Sequence, residues 1–109
     1  MYIAEGFAQK SIGLMYRESL GKEEGMLFIF PFLHKWQIWM LNMRFSIDAL
    51  WLDENGTVIH IEKSMQPCKG IIGCKSFAPD TPAKYVIEFN AKTASRLGIR
   101  KGDKIGVGA

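Results

Sequence analysis

No apolar run in the 109-residue chain approaches the roughly 20 residues that a membrane span needs. The densest, Met26 to Leu33 (MLFIFPFL), is short and interrupted by Pro31. The opening residues MYIAEGFAQKS lack a basic start followed by an apolar core, so nothing there reads as a signal peptide. The expectation is a soluble, cytoplasmic protein with no membrane partner. A phosphate-cradling G-x-x-x-x-G-K-[ST] loop is missing, which removes motif support for nucleotide binding, and there is no G-x-S-x-G nucleophile elbow. Charge of one sign is also thin: the net charge is +3, the basic residues are scattered, and only Arg100 and Lys101 are adjacent. No stripe able to neutralise a phosphate backbone is visible, so a nucleic-acid partner is not expected. Cysteine is scarce, with Cys68 and Cys74 alone bracketing a glycine-containing loop. Their spacing is compatible with a disulfide, although a reducing compartment would keep them as thiols. With His34 and His60 remote, the close paired spacing of a structural zinc site is absent, and neither a metal nor a cofactor is expected.

What is present is a core. Hydrophobic residues make up 48% of the chain and aromatics 12%, clear of the composition of disordered segments, and the length suits one domain over residues 1–109. The stretch Trp36 to Ile61 holds all three tryptophans. It ends in two β-prone runs, Ile47 to Leu52 and Thr57 to Lys63, joined by Asp53-Glu54-Asn55-Gly56, a hairpin signal because Asn and Gly tolerate positive φ.

Further strands are expected at Ile3 to Phe7, Gly25 to Phe30, Trp36 to Leu41, Tyr85 to Phe89 and Lys104 to Val107, with a short one at Ile71-Ile72 inside the Pro- and Gly-containing loop from Ser64 to Pro82. Ile12, Met15, Tyr16 and Leu20 fall close to helical spacing within Ala8 to Leu20, and Gly21 supplies a stop. Asn90 reads as the N-cap of a second helix, Ala91 to Leu97, closed by Gly98. These elements predict a mainly β fold, a small antiparallel β-sandwich or barrel with two short helices.

Several blocks carry a family resemblance: Gly13-Leu14-Met15-Tyr16-Arg17 with Leu20, Gly25-Met26-Leu27-Phe28 with Phe30, Trp39-Met40 with Asn42, Asp48, and Tyr85-Val86 with Glu88, Asn90 and Ala91. With Leu97-Gly98-Ile99 and Gly102-Asp103 they run in the order of the family called domain of unknown function 192, which the chain resembles over nearly its whole length. The resemblance implies a compact mainly-β fold with short helices and no established activity. Relatives usually have a fuller N-terminal strand than Met1 to Phe7, and a Pro where Met43-Arg44-Phe45-Ser46 precedes Ile47 and Asp48.

The residues best placed for chemistry are polar groups among aromatic and sulfur-containing neighbours. Asn42 and Asp48 lie among Trp39, Met40, Met43, Phe45, Ile47 and Trp51. A buried, unpaired polar group costs on the order of 1–3 kcal/mol, so each needs a partner. For Asp48 that partner is a cation such as Arg17 or Arg44, a backbone clamp, or a ligand. For Asn42 it is a ligand over an aromatic wall, or its own turn. Glu88 lies mid-strand on the face of Val86, either in a site or in water.

Three functions follow. The first is a non-catalytic binding module for a small polar ligand or a peptide, with Arg17, Trp39, Met40, Asn42, Asp48 and Glu88 as its ligand-binding residues. The second is a hydrolase or lyase using Asp48 and Glu88 as an acid–base pair, which requires the fold to bring the two together. The third is a structural protein whose exposed aromatics, Phe32, Trp36 or Phe77, form an oligomer surface such as a homodimer.

Overall fold

The hairpin forms around its turn. A computed structural model of the chain describes residues 2–4, 13–68 and 72–106. In it β4 (Ile47–Leu52) pairs antiparallel with β5 (Val58–Met65) across the turn that starts at Asp53. Asp53 Oδ1 accepts hydrogen bonds from the N–H groups of Asn55 at 2.8 Å and Thr57 at 3.0 Å, and Gly56 takes the positive φ of 82° that the turn demands.

The other strands are β1 (Tyr2–Ala4), β2 (Gly25–His34), β3 (Ile38–Trp39), β6 (Ser76–Phe77) and β7 (Ala83–Asn90). They make a five-stranded sheet in the order β1-β2-β7-β4-β5 and a separate two-stranded ribbon, β3-β6. All neighbours in the large sheet are antiparallel except β1 and β2, which run parallel. The sheet is therefore mixed and open, with β1 and β5 as distinct edges, where the sequence predicts a mainly antiparallel sandwich or barrel; most pairs are antiparallel, and the barrel closure is what does not form. The long connection from Ala4 to Gly25 is what allows a parallel return.

Every residue of β4 is buried, as expected of an apolar strand flanked on both sides and covered on both faces. β2 is buried at its start and exposed at its end, and its register with β7 shifts between Ile29 and His34. Pro31, which has no N–H to donate, falls in that irregular stretch.

One helix occurs among the described residues, α1 (Thr93–Leu97), shorter than the expected Ala91 to Leu97 and ending as predicted at Gly98, whose φ is 68°. Two helices were expected. Residues 13–20 of the first are turns and irregular chain, because Gly13 and Tyr16 take φ values of 51° and 66° that no helix accommodates; residues 8–12 lie outside the described residues. Nor does Asn90 cap α1: it is the last residue of β7, and its Nδ2 donates to the Leu20 carbonyl at 2.7 Å. The short strand predicted at Ile71-Ile72 lies at Ser76–Phe77 instead, Ile72 being in a turn and residue 71 outside the described set. Of the predicted final strand, residues 104–106 form only a bridge between Thr57 and Lys104, where Val58 N–H donates to the Asp103 carbonyl and Ile105 N–H to the Gly56 carbonyl; residue 107 lies outside the described residues. No helix among the described residues is long and apolar enough to cross a membrane.

Candidate functional site

Strand alternation sorts the predicted site residues before any distance is measured. Asp48 lies opposite Phe89, and Glu88 opposite Met26 and Ala49. Directly paired residues share a face and sequential ones alternate, so the two carboxylates project from opposite faces of one sheet. They cannot act on one substrate together, and the acid–base pair expected for a hydrolase or lyase does not form.

Asp48 is 0% exposed. Between the pairs Ile47–Met65 and Ala49–Glu62, one residue of β4 faces two of β5, Lys63 and Ser64, forming a bulge. Ser64 takes φ 52° there, and its N–H donates to Asp48 Oδ1 at 2.9 Å. Oδ2 accepts the N–H of Ala94 in the first turn of α1, also at 2.9 Å. Helix N-termini leave N–H groups unsatisfied, and Lys92, at the cap position of α1, offers no side-chain bond. Asp48 supplies the cap from another element. Both of its oxygens are thereby engaged by main-chain groups, and neither Arg17 nor Arg44 pairs with it: Arg17 lies 4.2 Å over the Tyr2 ring, and Arg44 reaches Glu18 at 3.6 Å.

Asn42 closes a turn. Its φ is 62°, its carbonyl accepts from Tyr16 N–H at 3.0 Å, and its Nδ2 donates to the Tyr16 hydroxyl at 2.9 Å. Met40 is buried, and its carbonyl receives the N–H groups of Met43 and Cys68. Cys68 and Cys74 are joined in a disulfide with their Cα atoms 5.6 Å apart, within the ordinary range.

Of the six predicted ligand-binding residues, Trp39 and Glu88 meet. Both line a cavity of about 240 Å³ between the face of the sheet that carries Glu88 and the segment containing β3. Phe28, Phe30 and Val86 form its floor with Glu88, and Met15, Met43, Ile38 and Trp39 lie across it. Arg17, Met40, Asn42 and Asp48 do not line it. Their part is to hold the frame: the Asn42–Tyr16 bonds fasten the segment bearing Met15 to the one bearing Met43.

Glu88 is 6% exposed, and among the described residues no group hydrogen-bonds its carboxyl. Burial alone pushes its pKa up to about 8. At neutral pH it is therefore mostly a neutral acid, able to donate one hydrogen bond into an apolar hollow.

Met15, Met43, Phe28, Phe30 and Gln37 escaped sequence reasoning because the lid comes from chain remote from the floor. One signal was available: an acidic residue in the middle of a strand, YVIEF, whose apolar residues occupy both alternating faces. Such a strand is covered on both sides, and its Glu meets water only through a hollow in that cover.

The fold and this hollow define a small mixed-β domain built around a buried acid. The chain belongs to DUF192, described as an uncharacterised ACR family, whose model matches residues 1–107. Two solved structures share the fold. A Sinorhizobium meliloti 1021 protein, provisionally named a transcription regulator, is 32% identical with a TM-score of 0.86, over 94% of this chain and 76% of that one. A Novosphingobium aromaticivorans DSM 12444 protein of unknown function is 31% identical with a TM-score of 0.85, over 94% and 70%. No curated protein matches.

Proposed function

We propose that this chain is a non-catalytic binding module whose cavity takes a small, mainly apolar molecule with one polar group placed against Glu88. One observation carries the reading: the carboxyl of a residue only 6% exposed, without a hydrogen-bond partner among the described residues and not sealed from the hollow it lines, stands among aromatic and methionine side chains. Apolar walls with few placed polar groups are the usual make-up of small-molecule sites. Isolated burial of such an acid stabilises nothing in the fold itself. The expectation of a polar ligand narrows accordingly, since Glu88 and Gln37 are the polar side chains that the described residues place on the wall.

A fragment screen by thermal shift tests this. A binder present at about 100 times its Kd stabilises the fold by roughly 2.7 kcal/mol, which raises Tm by roughly 10 °C or more for a domain of this size. In methyl NMR the hits are expected to move Met15 and Met43 and to leave Met65 in place. Hits that spare Met15 and Met43 would locate binding elsewhere.

A second reading, self-association, is favoured by the exposed end of β2, where Phe32 is 59% exposed beside Leu33 and, across the fold, Trp39 at 38%. Exposed apolar side chains of this size are candidates for a contact surface. Light scattering is expected to give a dimer mass that Phe32→Ser returns to the monomer; a monomer at all concentrations removes this reading.

A further inference from the structure

We propose that the cavity's ligand is an organic ammonium ion, its cationic end against Glu88 and its apolar body against Phe28, Trp39 and Met43. This rests on the reading of the cavity as a binding site and adds the chemical class of what enters.

The lining decides the class. Among the described residues Glu88 is its single ionisable side chain, and no described Lys, Arg or His contributes to the wall. Against those residues an anionic ligand would meet an acid and no cation. A neutral ligand would gain one hydrogen bond from the protonated acid. An ammonium ion gains the ion pair in a low-dielectric hollow, with the rings of Phe28 and Trp39 on the same wall for cation–π contact.

The surrounding charges leave this role to Glu88. Its cross-strand neighbours on β2 and β4 are Met26 and Ala49. Beyond Ala49, Glu62 of β5 shares the face but is engaged by His60 Nε2 at 2.6 Å. Lys84, on the same strand and face, donates to the Phe30 carbonyl. From the covering segments, Tyr16 is bonded to Asn42, and Arg17 stacks on Tyr2. Burial holds the Glu88 carboxyl protonated up to about pH 8, so admitting a cation must release one proton.

That proton gives the test. Phenethylamine, phenethyl alcohol and 3-phenylpropionate, alike in size and differing in charge, are titrated into the intact chain from pH 6 to pH 9. Amine affinity is expected to rise up to about tenfold per pH unit between 6 and 8 and then level, as one proton is lost. Glu88→Gln should abolish that slope and weaken the amine at least tenfold at pH 8, with the alcohol changed less than threefold. The wild-type profile stands whatever the variant's folding. Should the alcohol bind as tightly as the amine at pH 8 and weaken above it, the cavity is a site for neutral molecules: the ammonium inference fails and the binding reading survives. Tightest binding of the propionate likewise overturns the inference alone. If no probe moves Met15 or Met43, both fall together.

Discussion

Replacing Asp48 with alanine is expected to destabilise the fold by on the order of 2–4 kcal/mol, because the buried Ala94 N–H and the part-buried Ser64 N–H lose their acceptor at once, a loss that costs about 1–3 kcal/mol at a buried group and less where water can reach it. The Ser64 N–H sits in the β5 bulge and the Ala94 N–H in the first turn of α1, so both the bulge and the helix loosen together. Asparagine at the same position separates this account from simple loss of volume. Its one carbonyl oxygen accepts one of the two N–H groups, and its amide presents hydrogens to the other. Asp48→Asn should therefore fall between wild type and alanine, although it conserves shape. Urea unfolding followed by tryptophan fluorescence measures both, with an unchanged m-value expected. A loss below about 1 kcal/mol for the alanine variant would mean that water takes over the clamp, and with it the structural role assigned here to Asp48.

The contrast between Asp48 and the hairpin shows what was legible in the sequence. Asp53, Asn55 and Gly56 carry their instructions within one turn, so the pairing of β4 with β5 could be read directly. Gly98 closed α1 as predicted for the same reason. Asp48 caps a helix that begins far along the chain, and no local pattern shows that. Asn90 looked like the cap because its residue type and position fit, but tertiary pairing drew it into β7, and its amide went to Leu20. The amphipathic spacing around Met15 also suggested a helix; the backbone turns at Gly13 and Tyr16 serve the contact with Asn42 instead.

The candidate site was half legible, on the same division. Alternation placed Glu88 on the face of Val86, and the tryptophan-rich stretch drew attention to Trp39. Which side of the sheet would be roofed, and by what, depends on the path of residues 13–17 and 36–43, and that path is set by long-range bonds such as Trp51 Nε1 to the Trp36 carbonyl at 2.8 Å. Polar residues among tryptophans suggested one convergent pocket. The fold used most of them to fasten backbone, and among the described residues left a single acid to face the hollow.

That acid should dominate the dependence of stability on pH. Below pH 4.5, the ordinary value, Glu88 is protonated in folded and unfolded chains alike and contributes no slope. Between 4.5 and about 8 the unfolded chain gives up a proton that the folded chain retains, so unfolding becomes easier as pH rises. The slope is about 1.4 kcal/mol per pH unit, which amounts to about 3 kcal/mol by pH 7. Glutamine, isosteric with the protonated acid, removes the titration. The Glu88→Gln variant is expected to match wild type near pH 4 and to exceed it by on the order of 3–5 kcal/mol at pH 8, groups elsewhere cancelling in the difference. Chemical denaturation of both proteins at five or six pH values gives the curve; a difference flat to within about 0.5 kcal/mol from pH 4.5 to 8 would mean that water hydrates the carboxyl and that the hollow is not a desolvated site. A surplus of this size at neutral pH would also show that retaining Glu88 works against stability, a cost that makes sense where the residue is kept for what it binds.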